Sequence, residues 1–528
     1  MKFNYSVELF NASGSRQITG SAVLRSGENH EWLMLPAGTL RTIAAELSLH
    51  IAAEEKIFMN GYQSWTHCPE YDATSRIRGL HGVSDEIICE YSLDRYGDYN
   101  FADYPNRSGV THGASYCYFR LGANYRLFAS LDETPGYTLF QYDANAQKLR
   151  IVRDCAGVCC GGEYHAFDLF FAQGSEDTVF DAWFQALNIQ PRTRKLLCGY
   201  SSWYNRYEKI DQDALVSDLA GCKTLLHPGD LFQIDDGWEQ AVGDWEEDTQ
   251  KFPDGMKAMA DKAHAAGFMA GLWLAPFGCQ KSSRLFREHP EWVIHREGKP
   301  YLSGSNWGGF YSLDIDNPDA MRYLEGVFDH VLNDWGFDFV KLDFLYGVAP
   351  FGSKNESRAA RMRRAMELLR KMCSEKPILG CGVPLMPAFG LVDYCRIGCD
   401  VSLNWDNKSY PSWIHRERVS TRQAIDNTIF RRQLNGRAFY SDPDVFFLRT
   451  ENCELTDVQK TALAVAGALF SGILLTSDAI SSYTPEMRVR YQQIMRLRDA
   501  KDIHVTDEDG ICLYYTLNGR ENCLRIPE

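Results

Sequence analysis

Short apolar runs alternate with segments of helical periodicity from about residue 195 to about residue 475. The runs predict eight strands, at Leu196–Tyr200, Leu231–Ile234, Met269–Leu274, Phe337–Leu342, Ile378–Cys381, Tyr394–Ile397, Ala438–Tyr440 and Gly472–Leu475. Helical spacing of apolar residues recurs between them, for example at Asp213–Leu219, Met256–Ala266, Arg358–Lys371 and Asp457–Leu469. This alternation predicts an α/β architecture, a (β/α)8 TIM barrel. An open doubly wound sheet is the competing interpretation.

The chain before the barrel has the pattern of an all-β region. Segments of strand-type residues such as Arg41–Leu49 and Ala114–Leu121 are punctuated by Gly, Asn and Asp clusters. Phe180–Phe184 then predicts a connecting helix, and Gln190–Arg192 is the predicted boundary.

The last forty or so residues form a third region. Ile511–Tyr515 and Cys523–Ile526 predict a small β hairpin or the start of a β domain. The expected domains are therefore residues 1–190, all-β; residues 191–490, the barrel; and residues 491–528, a short C-terminal β region.

Charge and composition limit the partners that the chain can take. The 528 residues carry a formal net charge of -15 and a pI of about 5.4. This acidic balance argues against nucleic acid and anionic membrane, and suits a neutral small molecule. The start lacks the apolar run of a signal peptide, and no apolar stretch is long enough to span a bilayer, so we expect a cytoplasmic protein. The sequence leaves open a homo-oligomer.

The cysteines predict free thiols. The 16 cysteines are irregularly spaced, and a chain of this length needs no disulfide staples. Cys155, Cys159 and Cys160 have no matching Cys or His pair at zinc-site spacing, which disfavours a metal there.

The fourth predicted strand carries two charged residues, Lys341 and Asp343, among apolar neighbours. Residues two apart in a strand point to the same face. An acid and a base on a buried face are costly unless they serve each other or a ligand. Lys341 is expected to hold Asp343 ionised, and such a carboxylate can act as a nucleophile. A structural ion pair is the equally weighted alternative.

Further polar and aromatic residues end the other predicted strands, where TIM barrels place their active sites. These are Asp235 and Asp236 after the second strand, Trp273 near the end of the third, Cys381 at the end of the fifth, Arg396 and Asp400 at the sixth, and Asp442 and Asp444 after the seventh. Each has a structural interpretation: a helix cap, a core tryptophan, a surface ion pair or a turn. Their clustering at one end of one barrel favours a site rich in carboxylates and aromatics.

Such a site suits a neutral sugar. Carboxylates accept hydrogen bonds from hydroxyls, and aromatic faces cover the apolar side of a pyranose ring. Glycosidic cleavage needs two carboxyl groups, one that attacks or activates water and one that protonates the leaving oxygen. Asp343 fits the first role, and Asp400 fits the second if its surroundings raise its pKa.

At these residues the chain resembles glycoside hydrolase family 36, the α-galactosidases, and its relatives in clan D. The matching stretches run in family order from the N-terminal region through the barrel. They are Asn60-Gly61-Tyr62-Gln63-Ser64-Trp65, Gly199-Tyr200-Ser201-Ser202-Trp203-Tyr204, Ile234-Asp235-Asp236-Gly237-Trp238, Gly271-Leu272-Trp273-Leu274-Ala275-Pro276, Lys341-Leu342-Asp343, Gly380-Cys381-Gly382, Arg396-Ile397-Gly398-Cys399-Asp400 and Asp442-Pro443-Asp444.

The resemblance implies an N-terminal β-supersandwich, a catalytic (β/α)8 barrel and a C-terminal β domain, here short or truncated. It implies a retaining exo-α-galactosidase that uses no metal or cofactor. Asp343 is then the nucleophile and Asp400 the acid/base. The other implied site residues bind or shape the sugar pocket: Trp65, Tyr204, Asp235, Asp236, Trp273, Lys341, Cys381 and Arg396.

Three alternatives stay open at this point. An α-N-acetylgalactosaminidase needs more room at the sugar 2-position, near which Cys381 and Gly382 are expected. A transglycosylase of the raffinose-synthase kind would transfer the sugar to an acceptor. A non-catalytic galactoside-binding protein on a dead barrel is the hypothesis from another class, and the presence of both Asp343 and Asp400 argues against it.

Overall fold

The structure, a computed structural model, describes residues 1–406, 412–507 and 510–528. Its two large sheets differ in direction: one is antiparallel and N-terminal, the other parallel and central. No helix in these described ranges is both long and apolar enough to cross a membrane.

The N-terminal sheet has eleven strands, and every pairing in it is antiparallel. They are Lys2–Asn11, Gly14–Val23, Gly27–Ser48, Lys56–Met59, Glu70–Tyr71, Val110–Ala114, Tyr116–Leu121, Asn124–Ser130, Tyr137–Asp143, Lys148–Asp154 and Cys159–Gly174. The predicted strand Arg41–Leu49 is the second half of a much longer one, and Ala114–Leu121 is split at Ser115, whose φ is 69°.

One part of this region departs from the all-β prediction. Helices Asp85–Tyr91 and Leu93–Tyr96 and a 3-10 turn at Asp98–Asn100 follow one another. Ser84 precedes two acidic residues in the first helical turn, and negative charge is favourable at a helix N-terminus. These helices are too short to show a period that sequence reasoning can use.

The two faces of the N-terminal sheet bury different cores. Ile57, Cys117 and Phe119 belong to a cluster within the region itself. Their neighbours in the chain, such as Phe58 and Tyr118, belong to the large cluster that includes the central sheet. Side chains alternate between faces along a strand, so the sheet is apolar on both sides and packs one face against the barrel region.

The central sheet is parallel throughout. In spatial order its strands are Tyr440–Asp442, Tyr394–Arg396, Ile378–Gly380, Phe339–Leu342, Met269–Leu274, Leu231–Ile234, Leu197–Ser201, Ile473–Thr476 and Val445–Phe446. The strands follow chain order, whereas a doubly wound sheet reverses its order at a switch point. The two edge strands are consecutive in the chain, which is consistent with the predicted TIM barrel.

The seventh strand lies two residues later than the sequence pattern predicts. The sequence predicted Ala438–Tyr440, but the strand runs Tyr440–Asp442 and resumes at Val445–Phe446. Pro443 lacks an amide donor and Asp444 has a φ of 77°, so the pair interrupts the ladder. Asp442 therefore ends the strand instead of following it.

Helices alternate with the parallel strands along the chain. The α-helices after residue 100 are Glu176–Leu187, Trp203–Arg206, Gln212–Cys222, Gly255–Ala265, Arg284–Glu288, Pro318–Asp329, Arg358–Cys373, Leu385–Ala388, Thr421–Phe430, Asp457–Phe470 and Pro485–Arg496. Short 3-10 turns are Pro290–Trp292, Asn306–Gly308, Leu345–Val348, Arg432–Leu434, Ile480–Ser482 and Leu497–Asp499, with a π-turn at His330–Asp334. The four helices predicted from periodicity are all present, with ends moved by up to three residues.

Three small antiparallel sheets complete the fold. One joins Gly278–Gln280, Phe310–Ser312 and Leu302–Gly304, and another pairs His295–Arg296 with Lys299–Pro300. The third contains Lys501–Thr506, Cys512–Leu517 and Arg520–Arg525. The C-terminal hairpin expected from the sequence is thus present, with one further strand.

Candidate active site

A cavity of about 410 Å³ opens at the carboxyl ends of the parallel strands. Seven of the ten predicted site residues line it: Trp65, Asp235, Asp236, Trp273, Lys341, Asp343 and Asp400. The structure therefore brings together residues that are up to 335 positions apart in the chain, from Trp65 to Asp400.

Asp343 stands directly after the fourth parallel strand and is held on both carboxylate oxygens. Trp273 Nε1 donates to Oδ2 at 3.2 Å, and the amide of Phe344 donates to Oδ1 at 2.8 Å. Phe344 has a φ of 54°, a left-handed conformation that is strained for a bulky residue. The chain turns sharply here, which leaves the carboxylate at the cavity wall with fixed orientation.

The closest partner of Lys341 is Asp235, not Asp343 as the spacing suggested. Lys341 Nζ is 2.9 Å from Asp235 Oδ2 and 3.9 Å from Asp343 Oδ2. Burial alone would lower the pKa of Lys341, but the two carboxylates outweigh it and raise that pKa. Asp235 ends the second strand and Lys341 lies on the fourth, so the contact crosses the interior past the strand between them. Spacing along one strand cannot reveal such a contact.

Arg396 lies behind the cavity lining and holds a cluster of carboxylates that includes Asp400. Its guanidinium binds three carboxylates, with Nη1 2.7 Å from Asp400, Nε 2.8 Å from Asp442 and Nη2 3.0 Å from Asp444. Arg396 is only 4% exposed, which rules out the surface ion pair considered from the sequence. One cation among three acids cannot neutralise them all.

The environment of Asp400 raises its pKa, as an acid/base role requires. Burial is the main cause, and the nearby charge of Asp343 adds to it, while Arg396 and Lys341 oppose it. Its side chain nevertheless keeps 37% of its surface accessible, because it lines the cavity. Burial also raises the pKa of the adjacent Asp444 to about 7.

Asp236 and Glu239 form a further pair of buried carboxyl groups at the cavity. Trp307 Nε1 donates to Asp236 Oδ2 at 3.0 Å. Burial raises the pKa of Asp236, and it raises that of the neighbouring Glu239 well above the usual value for a glutamate. Two buried carboxyls in contact share a proton more readily than they both ionise.

The N-terminal region supplies one wall of the cavity through Trp65. The Trp65 ring packs edge-on against Phe344, with ring centroids 5.2 Å apart, and its Nε1 donates to Cys381 Sγ at 3.4 Å. A Cβ at Gly382 would lie 2.7 Å from the Trp65 ring, and its φ is 57°, so only glycine fits under the indole.

Three predicted residues lie behind the cavity lining instead of in it. Tyr204 donates its hydroxyl to Asp444, Cys381 contacts Trp65, and Arg396 holds the carboxylates. Each contacts a lining residue or a partner of one, so their expected roles toward the sugar stay predictions.

Other cavity residues escaped the sequence reasoning, among them Glu208, Trp307, Tyr346, His415 and Glu417. They come from loops and short 3-10 turns, and no sequence motif marks most of them. The pattern Ser305-Asn306-Trp307-Gly308-Gly309 is the one exception, because a large aromatic in a Gly-rich turn is unusual, and Trp307 indeed has a φ of 53°.

Comparison with known proteins shows that this chain is similar to melibiase-type glycoside hydrolases. The melibiase family model matches residues 190–372. The α-galactosidase of Escherichia coli is 31% identical over 153 residues, which cover 26% of this chain and 21% of that enzyme. The α-galactosidase AgaA of Geobacillus stearothermophilus is 27% identical over 173 residues, covering 31% of this chain and 23% of AgaA. The alignments with these curated relatives thus span about a quarter of their length or less.

A structural likeness extends over the whole chain. The α-galactosidase of Thermus thermophilus, solved in complex with p-nitrophenyl α-D-galactopyranoside, superposes with a TM-score of 0.73 at 27% identity and covers 98% of both chains. The same enzyme was solved with stachyose. Together these findings confirm the resemblance to α-galactosidases of glycoside hydrolase family 36.

Proposed function

We propose that the chain is a retaining exo-α-galactosidase that removes terminal α-linked galactose from oligosaccharides by double displacement. The single observation that supports this most strongly is that Asp343 and Asp400 line the same cavity in different surroundings. Asp343 accepts two hydrogen bonds on its carboxylate, whereas burial raises the pKa of Asp400. Such a pair separates nucleophile from acid.

In the first step a carboxylate oxygen of Asp343 attacks the anomeric carbon while Asp400 protonates the departing glycosidic oxygen. A galactosyl ester on Asp343 and the free alcohol result. In the second step Asp400 takes a proton from water, whose oxygen attacks the anomeric carbon and releases Asp343. Two inversions return the α-anomer. Hydrogen bonds from Trp273 and from the Phe344 amide hold the Asp343 carboxylate in its orientation.

The remaining lining residues are proposed to bind the sugar. Lys341, Asp235 and Asp236 offer charged partners for hydroxyl groups at the floor of the cavity. Trp65 and Trp273 supply the aromatic surfaces that cover a pyranose ring. Tyr204, Cys381 and Arg396 hold these groups from behind.

We further propose the finer architecture that the family implies: an N-terminal β-supersandwich at residues 1–190, a closed catalytic (β/α)8 barrel at 191–490 and a short C-terminal β region at 491–528. Pairing of the seventh strand with both the sixth and the eighth strands supports closure. We propose a cytoplasmic protein whose partner is a saccharide; a homo-oligomer stays a prediction.

The decisive experiment compares Asp343→Asn and Asp400→Asn on aryl α-galactosides. Asp343→Asn should abolish turnover with the fold intact. Asp400→Asn should lower it by about 10²–10⁴-fold, less for substrates with acidic leaving groups, because these need no protonation. Azide, a small nucleophile, should then give the β-galactosyl azide with the first variant and the α-anomer with the second.

Asp338→Asn is the matched control, since this aspartate precedes the same strand but pairs with His264 at the outer surface. It should keep full activity. Near-normal turnover by Asp343→Asn would refute the assigned role, and binding of galactose without hydrolysis of any α-galactoside would favour the sugar-binding alternative. Parallel assays of the N-acetylgalactosaminide, and product analysis with an acceptor sugar, separate the other two alternatives.

A further inference from the structure

Two histidines and an aspartate meet on the outer face of the N-terminal sheet, away from the cavity. His30 lies on the long strand Gly27–Ser48 and stands directly opposite Asp168 on the strand Cys159–Gly174. His165 stands opposite Trp32 in the same pair of strands. One ligand atom from each of the three side chains lies within 4.8 Å of the other two.

A β-bulge creates this meeting. His165 and Asp168 are three residues apart, and in a regular strand that spacing points side chains to opposite faces. The register with the neighbouring strand shifts between His165 and Phe167, so one extra residue is accommodated there. Bulges re-aim side chains and are built features of a sheet. Here the bulge turns His165 toward Asp168.

The ligand atoms converge on one oxygen of Asp168, but only one of the two imidazoles is hydrogen-bonded to it. His30 Nδ1 contacts Asp168 Oδ1, and His165 Nε2 lies 3.5 Å from the same oxygen. Among the residues the structure describes, His165 Nε2 is a buried atom with no hydrogen-bond partner. An unpaired buried nitrogen is costly unless something else occupies its lone pair.

The separation of two ligand atoms and the charges around them suit a cation, which would replace the proton that His30 and Asp168 now share. Donors bound at zinc distances in a tetrahedral site lie about 3.4 Å apart, close to the separation of His165 Nε2 and Asp168 Oδ1. Trp32 stacks on His165, with centroids 4.1 Å apart and planes 2° from parallel, which fixes the ring. Glu28 Oε2 lies 3.5 Å from the other nitrogen of His30 and adds negative charge. Arg153 is the opposing cation, and it is anchored by the carbonyls of Asp132 and Gly136.

We propose that His30, His165 and Asp168 bind a divalent transition metal of the zinc class. Two imidazole nitrogens and one carboxylate oxygen form a donor set that zinc accepts, with the fourth position open to solvent. The ion joins two neighbouring strands and so stabilises the N-terminal sheet. Cys155, Cys159 and Cys160, whose spacing disfavours a metal, are not part of this cluster. The site does not depend on the proposed galactosidase activity.

The test uses the full chain without an affinity tag, stripped with a chelator and dialysed. Titration calorimetry with ZnCl₂ should give one tight site per chain, and zinc should raise Tm. CoCl₂ should produce the visible absorption of a low-coordinate cobalt site. His30→Ala, His165→Ala and Asp168→Asn should each weaken zinc binding by about 100-fold or more, beyond what loss of an outer-shell partner costs.

His264→Ala is the matched control. It removes an imidazole from another His–Asp pair, whose atoms are 2.7 Å apart, but no second histidine is part of that pair. Its zinc affinity and cobalt spectrum should equal those of the wild type. Equal affinity in the wild type and His165→Ala, or absence of the cobalt bands, would reduce the three residues to a hydrogen-bonded His–Asp–His network and overturn the proposal. None of these readouts uses galactoside hydrolysis.

Discussion

Arg431 is the residue whose removal tests how the N-terminal region completes the cavity. It lies just after the helix Thr421–Phe430, is fully buried and donates to five acceptors. Four of these belong to the segment before Trp65, including Asn60 Oδ1 at 3.0 Å and the Ser64 carbonyl at 2.6 Å. The fifth is the carbonyl of Ile397 on the barrel side, at 2.8 Å. Arg431 thus fixes the Trp65 loop onto the sheet that carries Asp400.

The magnitude follows from these bonds. Hydrogen bonds to a charged group contribute about 1.5–3 kcal/mol each, but they are not additive and the cation itself loses hydration. We therefore expect Arg431→Met to cost about 3–5 kcal/mol, because it leaves several buried oxygens without a donor at about 1–3 kcal/mol each, partly offset by the desolvation that the arginine no longer has to bear. Unfolding entropy near 2.1 cal/mol/K per residue amounts to about 1.1 kcal/mol/K for 528 residues, so Tm should fall by about 3–5 °C.

Activity should change as well, because a loosened loop misplaces the Trp65 ring. A shift of about 1 Å can cost about 100-fold in rate, so kcat/KM on an aryl α-galactoside should fall by about 10–100-fold. Scanning calorimetry and initial rates measure the two effects. Arg422→Met is the control, since Arg422 is an exposed arginine on the adjoining helix. If Arg431→Met had the same Tm and the same kcat/KM as Arg422→Met, the hydrogen bonds of Arg431 would not be needed to position Trp65 at the cavity.

Two other substitutions probe buried carboxyls. Burial raises the pKa of Glu133 from 4.5 to about 7, so between these pH values the folded state holds a proton that the unfolded state has lost. The free energy of unfolding should therefore decline as pH rises from about 4.5 to 7. Glu133→Gln should restore about 3 kcal/mol above pH 7 and nothing below pH 4.5, which the difference in Tm between variant and wild type, measured against pH, will show. A constant difference would contradict this sign. Trp307→Phe keeps the ring but removes the donor to Asp236, whose pKa should rise further, so the acid limb of kcat/KM should move to higher pH. An unmoved limb would mean that Asp236 is not required in its ionised form.

Local patterns in the chain were sufficient to find most strands and helices of the barrel region. A run such as Leu231–Ile234 is apolar at every position except Gln233 and is buried at every position, because parallel strands are covered on both faces. The sharp error came at Asp442–Asp444, where a proline and a left-handed aspartate interrupt the seventh strand. The sequence indicates a turn at these residues, but how the turn interrupts the strand pairing depends on both neighbouring strands.

Local sequence patterns were enough to predict where most of the parallel strands end, and therefore that Asp343, Asp400 and their neighbours lie at the same end of the sheet. Periodicity and composition act over a few residues, and that range is enough for strand, helix and side-chain face. The pairing of charges came from the folded chain alone: Lys341 contacts Asp235 across the interior, and a bulge turns His165 toward Asp168. Those contacts depend on register, strand order and burial, which are properties of segments far apart in the chain.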